Sequence, residues 1–539
     1  MVEIDLFTAV AVGVIIILCY HYIAQKYLYF LTKPVPCLKP TFLLGNFASL
    51  LFRRKDIVSH LITNYNAFPD AKISGFFDFI GGVYLLRDPE MINKICVKDF
   101  DFFTDRTPIL PLDQNNDYSL LGNSLFAMRG QKWREMRATL SPAFTGSKMR
   151  QMFQLVASTA QSLTAFFTAE ARKGVRLEYE MKDMFSRFAN DVVATVAFGM
   201  EMDSVQNRDN EFYLMGKKLV DFSSITILFK FFIMQFIPSL ANKLKFDLFD
   251  AKATEYFKSI IVGNMARRQA QGIVRNDMIQ MLMEVRRGTL KHLQDELDSK
   301  DAGFATVQES SVGKSTHSRV WSENELIAQC FLFFFAGFET TSTCITFLSY
   351  EILANPEVQK RLYEEIIETE KSLNGEPLTY ETLQKMQYLD MVISEALRMW
   401  PPNLHSERFC NKDYQFDDGV GTRFTIEKGR SILIPTIAIQ RDPKYYLNPE
   451  RFDPERFNEE NRSSINPNTY LPFGIGPRNC IGSRLALMEV KVIMYYLLKD
   501  FSLEPTEKTQ IPLRVSKKRL TLHTEGVWLE FRPRASKEE

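Results

Sequence analysis

The chain is poor in the features that mark disulfide-stabilised, zinc-binding and nucleic-acid-binding proteins. Its 539 residues include only seven cysteines, and no two of them form a CxxC pair. An odd number of scattered cysteines argues against a disulfide framework or a structural zinc site and indicates a reducing, cytosol-facing protein. The formal net charge of +1 argues against general affinity for nucleic acid. Internal repeats and long low-complexity linkers are also lacking, so one large folded unit is expected.

Long hydrophobic runs are scarce as well, and only one approaches the length of a membrane-spanning helix. It covers residues 6–23, and acidic rather than basic residues precede it. A cleaved signal peptide would need a basic start and a small-residue cleavage site, neither of which is evident. Basic residues follow the run, so the positive-inside rule places the N-terminus in the lumen and the rest in the cytosol. We expect a signal-anchor at 1–24, a proline-rich linker at 25–45 and the main domain at 46–539.

A second apolar segment covers residues 225–237. It is too short to span a bilayer, contains Lys230 and ends before Pro238. A run of this length is either a buried core helix or a surface element that dips into a membrane. The residues alone leave both alternatives open.

One cysteine stands in a glycine-rich loop near the end of the chain. Residues 473–482 read Phe-Gly-Ile-Gly-Pro-Arg-Asn-Cys-Ile-Gly, and the apolar period that follows predicts a helix. The positive end of the helix dipole biases the Cys480 thiol towards thiolate. Gly474 and Gly482 permit close approach of a flat cofactor, and Arg478 can reach an anionic group beside the sulfur. The alternative is an inert thiol, but the pattern is typical of a thiolate that ligates haem iron.

A long helix is predicted between a capping box at residues 322–325 and the stop at Asn355 and Pro356. About 32 residues make a rod of roughly 48 Å, and its all-apolar centre indicates burial. Within it, Glu339 and Thr340 are a carboxylate beside a hydroxyl, which can deliver protons and orient dioxygen or water. The alternative is a glycine–threonine kink in which the Thr340 hydroxyl bonds back to a carbonyl.

Two further patterns place arginine near a carboxylate or an indole. Glu395 and Arg398 share one predicted helix face, and Arg456 could join them in a buried network. Trp133 and Arg137 are four residues apart on another helix and suit a carboxylate such as a haem propionate. Taken alone, either pattern could instead be a solvated surface helix.

Together these motifs resemble the cytochrome P-450 monooxygenases. The loop matches Phe-x-x-Gly-x-Arg-x-Cys-x-Gly, and the distal-helix, Glu-x-x-Arg, Pro-Glu-Arg-Phe and Trp-x-x-x-Arg motifs occur in the family's order. Residues 449–452 repeat the letters Pro-Glu-Arg-Phe, but Arg456 is preferred because Phe452 also matches. The resemblance covers residues 34–530 and is closest to the animal microsomal branch, particularly insect families six and nine. It implies a mainly α (α+β) fold with a large helical domain, smaller β-sheets and an N-terminal transmembrane anchor.

The resemblance also implies roles for individual residues. Cys480 would be the axial ligand of haem b iron, and Glu339 with Thr340 would be catalytic. Glu395, Arg398 and Arg456 would support the haem loop. Further haem contacts would come from Arg478, Trp133, Arg137, Arg106, Arg408, Phe473, Gly474, Gly482 and Ala336. Substrate contacts would come from Leu120, Leu121, Leu125, Phe126, Phe335, Asn403 and Leu404.

The implied activity is insertion of one oxygen atom of O₂ into a lipophilic substrate. No glycine-rich dinucleotide loop follows a strand, so electrons would come from a partner flavoprotein, NADPH-cytochrome P-450 reductase, with cytochrome b5 as a further candidate donor. The implied location is the endoplasmic reticulum membrane, single-pass, with the catalytic domain in the cytosol and residues 225–237 at the membrane surface. The polar segment 297–319 departs from the family and is expected to be a mobile surface insertion.

Three alternatives stay open at this stage. The substrate could be a xenobiotic or toxin, or instead an endogenous hormone, lipid or pheromone. A haem-thiolate isomerase or dehydratase would need no acid–alcohol pair, so Glu339 and Thr340 weigh against it. A non-catalytic haem protein would need neither Thr340 nor a reductase.

Overall fold

The computed structural model describes residue 20 and residues 28–42, 44–78, 81–108, 119–221, 225–275, 277–287, 303–307 and 319–534. The predicted signal-anchor lies outside these residues except for Tyr20. Most of the predicted polar insertion lies outside them too.

Helices dominate the described residues, which confirms the predicted fold class. In chain order they are α1 (Ala48–Leu51), α2 (Ile57–Asn66), α3 (Pro89–Asn93), α4 (Gly130–Leu140), α5 (Gly146–Arg172), α6 (Met181–Phe198), α7 (Glu211–Val220), α8 (Ile225–Phe236), α9 (Pro238–Lys243), α10 (Ala251–Gln271), α11 (Met278–Arg287), α12 (Glu323–Ala354), α13 (Pro356–Leu373), α14 (Tyr380–Gln384), α15 (Gln387–Met399), α16 (Thr436–Ile439) and α17 (Ser483–Asp500).

The strands form three small sheets. They are β1 (Ile73–Phe77), β2 (Gly82–Leu86), β3 (Glu178–Glu180), β4 (Ser406–Phe409), β5 (Tyr414–Asp417), β6 (Arg423–Ile426), β7 (Ser431–Ile434), β8 (Phe501–Pro505) and β9 (Trp528–Pro533). The largest sheet has the order β1-β2-β7-β4, in which only β2 and β7 run parallel. The others have the orders β3-β9-β8 and β5-β6.

The predicted long helix is confirmed as α12. It has 32 residues, and both bonds of the capping box are present, from the Glu325 N–H to Ser322 Oγ and from the Ser322 N–H to Glu325 Oε2. It packs against α6, α10, α15 and α17, so it forms the centre of the helical domain. Among the described helices, α12 alone is long and apolar enough to cross a membrane, but 67% of its most apolar window is buried. It is therefore a core helix.

Part of the polar insertion packs firmly against the domain, contrary to the expectation of a mobile segment. Phe304 forms a cluster of three rings with Phe457 and Tyr470, at centroid distances of 4.9 and 5.2 Å. Its N–H donates to Asp390 Oδ2 at 2.9 Å, and Asp390 in turn pairs with the buried Lys491. The apolar Phe304 within a polar stretch was the available signal for this packing.

Candidate active site

The cysteine loop is a tight turn that ends at the start of α17. The Cys480 N–H donates to the Phe473 carbonyl at 2.9 Å, and the Asn479 N–H donates to the Gly476 carbonyl at the same distance. Gly476 has a φ of +73°, and a Cβ at this position would collide with the Cys96 carbonyl oxygen. A side chain at Gly476 is therefore excluded by both backbone strain and lack of space.

The Cys480 side chain has accessible surface although protein surrounds it, as expected of a thiol that faces an internal cavity. Burial raises the pKa of this thiol, and the Gly482 N–H with the positive charges of Arg137 and Arg106 acts in the opposite direction. The predicted thiolate bias from the helix dipole is therefore wrong for the protein alone, because burial outweighs it. A bound metal cation deprotonates a coordinating thiol regardless of this balance.

Two of the predicted haem-binding arginines connect the cysteine loop to earlier parts of the chain. Arg137, on α4, donates to the Asn479 carbonyl and side-chain oxygens, both at 2.8 Å. Arg478 donates to the Thr104 carbonyl at 2.7 Å and to Asp105 Oδ1 at 3.3 Å. Its guanidinium also lies 4.0 Å from the centre of the Trp133 ring. Arg478 therefore clamps the loop to the preceding segments.

Arg106 and Arg408 have spare hydrogen-bonding capacity. Arg106 donates to the Arg478 carbonyl at 3.2 Å and Arg408 donates to the Ile475 carbonyl at 2.7 Å, yet the Nε of each is buried without a partner. Burial, followed by the charge of Arg408, lowers the pKa of Arg106 to about 10. Two neighbouring guanidinium groups with unpaired N–H donors can bind a ligand edge that carries two negative charges. The two propionates of a haem form such an edge. The residues present therefore fit a haem beside Cys480.

The middle of α12 contains an accessible stretch within a buried helix. Between Leu326 and Leu353 the exposed residues are Ala336 and Thr340, which lie one turn apart on one face. The Thr340 hydroxyl donates to the Ala336 carbonyl at 2.6 Å, so the back-bond considered as the alternative is formed. Gly337 instead faces α6, because a Cβ there would lie 3.0 Å from Val193 Cγ2. The small residue available to a flat ligand is thus Ala336.

Glu339 forms an ion pair with a lysine that the sequence analysis did not predict. Lys182, on α6, lies 3.1 Å from Glu339 Oε1 and also donates to the Ser342 and Thr343 hydroxyls at 2.7 and 2.9 Å. Burial lowers the pKa of Lys182, and Glu339 opposes that shift. His523 Nδ1 lies 3.8 Å from the same carboxylate oxygen. The paired carboxylate explains how an acidic residue is tolerated in an apolar helix.

The segment 119–128 joins the cysteine loop to α12. Arg478 Nη1 lies 3.5 Å from the Leu125 carbonyl, and the Leu125 N–H donates to Gln329 Oε1 on α12 at 2.8 Å. Phe126 lies beneath Arg106, with the guanidinium 4.4 Å from the ring centre. These contacts place the cysteine loop and the predicted oxygen-side helix around one site.

The predicted substrate residues fall into two groups. One group is part of the hydrophobic core: Leu120, Leu121, Leu125 and Leu404. The other group keeps accessible surface: Phe126, Phe335 and Asn403. The second group has surface that a ligand could reach, and the buried Phe249 ring packs 5.4 Å from the Phe335 ring.

The three predicted support residues meet in a buried network. Glu395 and Arg398 are fully buried, with Nε–Oε2 and Nη2–Oε1 distances of 2.6 and 2.8 Å. Arg456 Nε lies 3.3 Å from Glu395 Oε1, whereas Arg451 of the repeated motif is exposed.

The network reaches the cysteine loop through one side chain. Arg398 donates to the Gln440 carbonyl at 2.9 Å, and Gln440 Oε1 accepts the Leu471 N–H at 2.7 Å. Leu471 in turn accepts the Gly474 N–H at 3.0 Å. Three hydrogen bonds therefore connect the ion-paired network to Gly474 at the start of the loop.

Comparison with known proteins agrees with this geometry. The sequence profile named Cytochrome P450 matches residues 35–531. The chain belongs to the cytochrome P450 family. It is 40% identical to Probable cytochrome P450 9f2 of Drosophila melanogaster over 519 residues, covering 95% of this chain and 96% of that protein. Identity to Cytochrome P450 9e2 of Blattella germanica is also 40%, over 98% of both chains. Cytochrome P450 6k1 of the same cockroach is 34% identical over 97% of this chain and 96% of the relative.

Membership confirms several expectations. This P450 is an oxidoreductase of the monooxygenase class, and its cofactor is haem with a cysteine thiolate as axial ligand. The predicted resemblance to insect families six and nine is confirmed by the relatives.

Proposed function

We propose that this P450 is a membrane-bound monooxygenase that inserts one oxygen atom of O₂ into lipophilic substrates, with Cys480 as the haem ligand. The observation that carries the proposal is the joint placement of the Cys480 loop and the accessible Ala336–Thr340 face of α12, connected through Arg478, Leu125 and Gln329. When bound, the haem supplies the redox chemistry that activates O₂. The proposal is tested by NADPH-dependent oxidation of a lipophilic compound in reductase-containing membranes.

The chain's own residues would hold the cofactor in a fixed orientation. Arg106 and Arg408 would bind propionate oxygens through their unused N–H groups, with Trp133 and Arg137 beside them. Ala336 would let the macrocycle approach the helix backbone closely.

Thr340 would control the proton supply on the oxygen side. Its hydroxyl proton is used in the bond to the Ala336 carbonyl, which leaves the oxygen as an acceptor that can hold a water molecule. Glu339 is the nearest carboxylate along the helix, and it would pass protons to this water while Lys182 Nζ, 3.1 Å from Glu339 Oε1, holds it in place.

Replacing Thr340 by alanine is expected to preserve haem binding but to uncouple the enzyme. The alanine cannot position the proton-carrying water, so reducing equivalents would be diverted to hydrogen peroxide, and product per NADPH should fall by about tenfold or more. The measurement is the ratio of product and peroxide to NADPH consumed. Thr340→Ser, which keeps the hydroxyl, is the matched control and should remain coupled. Unchanged coupling in the alanine variant would remove Thr340 from this role.

We infer that the substrates are lipophilic, with xenobiotic or toxin oxidation as the role. Phe126 and Phe335 give the accessible wall an aromatic surface, and Asn403 supplies one polar group. Such a wall favours apolar compounds oriented by a single hydrogen bond. A panel that includes plant toxins, insecticides and insect hormones, screened by substrate-induced shifts of the haem spectrum, separates detoxification from an endogenous role.

We also propose that a flavoprotein reductase docks on the cysteine side, near α4. Lys132 and Arg134 lie on α4, but each already has a carboxylate partner: Lys132 pairs with Glu325 at 2.8 Å and Arg134 with Asp101 at 2.6 Å. Neither residue is fully buried. They can therefore still attract an acidic partner, and this attraction weakens as salt screens it.

Reversing both charges with Lys132→Glu and Arg134→Glu should slow reductase-driven turnover by about tenfold at low salt, because the steering field is lost. Turnover driven by an artificial peroxide oxidant should change little. Glu325→Gln is the control, because it breaks the ion pair with Lys132 at the start of α12 but leaves Lys132 and Arg134 positively charged. It should leave reductase-driven turnover nearly unchanged if the loss in the double variant is a loss of docking. Equal losses of reductase-driven and peroxide-driven turnover would mean that the substitutions damage the haem pocket rather than the docking surface.

Membrane attachment through 1–24 at the endoplasmic reticulum is part of the proposal, with peripheral contact through 225–237. Within that second segment Phe229 and Ile237 are 64% and 51% exposed, which favours a surface element over a buried core helix. Lys230 is turned back to the domain, where it donates to the Asp247 carbonyl.

A further inference from the structure

A carboxylate that has no role in the account so far lies on β4, next to the haem-binding arginines. The Phe409 N–H donates to the Asp105 carbonyl at 2.9 Å, and these two residues form an antiparallel bridge. Counting outward from the bridge places Thr107 opposite Glu407. Because side chains alternate along a strand, Glu407 lies on the opposite face of β4 from Arg408. Glu407 is therefore beside the propionate-binding arginines rather than among them.

Glu407 and His405 meet inside the protein. His405 Nε2 lies 3.4 Å from Glu407 Oε1, and the two side chains are 34% and 31% exposed. Protein nevertheless surrounds Glu407, so burial is the largest influence on its pKa. Surface that is accessible but enclosed by protein faces an internal cavity, as it does at Cys480.

Arg106 connects this contact to the accessible aromatic wall of the site. Its charge acts on both Glu407 and Cys480, and its guanidinium lies 4.4 Å from the centre of the Phe126 ring. Asn403, which precedes the pair in the chain, keeps accessible surface as well. Glu407 therefore borders the same site as the Cys480 loop and the Phe126 ring.

The charge balance of this corner is negative once a haem is bound. Burial raises the pKa of Glu407, but the contacts with His405 and Thr107 and the charge of Arg106 outweigh it, so the pKa is lowered. The group is therefore anionic at neutral pH. Two propionates would match the charges of Arg106 and Arg408. Glu407 would then depend on His405, which carries a charge only when it is protonated.

His405 also brings an unused polar atom to the corner. Its Nδ1 is buried and has no hydrogen-bond partner among the described residues. Buried polar atoms without a partner are rare in folded proteins, so a water molecule or a polar ligand group is expected to complete this corner.

We propose that Glu407, held in place by His405, is a specificity-determining residue that anchors a cationic group of the substrate, so that the enzyme favours lipophilic amines in their protonated form. The proposal deepens the proposed function and rests on it, since Phe126 and Phe335 make the accessible wall otherwise apolar. A carboxylate beside aromatic rings suits a ligand that is apolar over most of its length and positive at one end.

The test compares two ligands of the same shape that differ in charge: a phenylalkyl trimethylammonium compound and its neutral tert-butyl isostere. The trimethylammonium nitrogen has no lone pair, so it cannot bind the haem iron, and its charge does not depend on pH. Substrate-induced shifts of the haem spectrum give the Kd of each ligand for the haem-loaded protein. Glu407→Gln should weaken binding of the cation by about tenfold, because the attraction between two partly screened charges is lost. Binding of the neutral isostere should change by less than about twofold.

Two further variants separate charge from structure. Glu407→Asp keeps the negative charge and should retain most of the affinity for the cation. Asp417→Asn is the matched control, since Asp417 lies in the β5–β6 hairpin, is 39% exposed and pairs with Arg423 at 2.9 Å. It should change the Kd of neither ligand.

Unchanged binding of the cation by the Glu407→Gln protein would overturn the proposal. Equal weakening of both ligands would also overturn it, because the substitution would then have altered the shape of the site. Loss of haem from this variant, measured as haem content, would assign Glu407 to the cofactor site and refute the anchor. A wild-type protein that binds neither ligand would instead refute the proposed lipophilic substrates.

Discussion

Cys480→Ala is expected to abolish turnover and to remove the red-shifted Soret band that the reduced protein gives with carbon monoxide. The shift requires an axial thiolate, and among the described cysteines Cys480 is the exposed one, while the remainder are buried or partly buried. Cys344, by contrast, is buried in the hydrophobic core and has almost no surface at which a cofactor could bind.

The control for this variant is Cys37→Ser, which alters a partly buried cysteine in the segment that covers β1. It should retain the red-shifted band and turnover. Haem content and circular dichroism of the Cys480→Ala protein show whether it is folded. A folded Cys480→Ala protein with the red-shifted band and normal turnover would mean that another residue is the ligand.

Glu395→Ala is expected to destabilise the fold strongly and to prevent accumulation of haem-loaded protein. Glu395 is fully buried between Arg398 and Arg456, so its removal leaves buried positive charge without a counter-charge. Breaking a buried ion pair in this way costs about 3–5 kcal/mol of folding free energy. Because Arg398 also bonds to the Gln440 carbonyl, the disturbance should reach Leu471 and the cysteine loop.

Thermal unfolding and haem content measure this effect. Glu450→Gln is the matched control, since Glu450 pairs with Arg441 at 3.2 Å but is 71% exposed, and it should cost less than about 1 kcal/mol. The repeated motif offers a second comparison: Arg456→Ala should be damaging and Arg451→Ala should be tolerated. A stable, haem-loaded Glu395→Ala protein would contradict the supporting role of the network.

The sequence was sufficient for those features that depend on local pattern. The bounds of α12 follow from a capping box and an Asn-Pro stop, and the position of Cys480 follows from the glycine loop and the apolar period of α17. Glu395 and Arg398 are three residues apart on one helix, so their contact is also a local property.

Features that depend on packing between distant elements could not be predicted in this way. Lys182 reaches Glu339 from another helix, more than 150 residues away in the chain, and no spacing indicates the pair. Burial reverses the expected effect of the helix dipole on the Cys480 pKa. Leu120 and Leu125 were predicted to contact the substrate and are buried in the structure, and composition alone does not show which side of a loop faces a cavity.

The most direct test of the account is oxygen incorporation from isotopically labelled O₂ by the full-length protein in membranes that contain the reductase. The account predicts that NADPH is consumed and that one labelled oxygen atom appears in a lipophilic product, while Cys480→Ala gives no product. A product formed without labelled oxygen and without NADPH would indicate a haem-thiolate isomerase or dehydratase and would contradict the proposed monooxygenase activity. Spectral binding of ligands with no NADPH-dependent turnover of any compound in the panel would contradict it as well, in favour of a carrier.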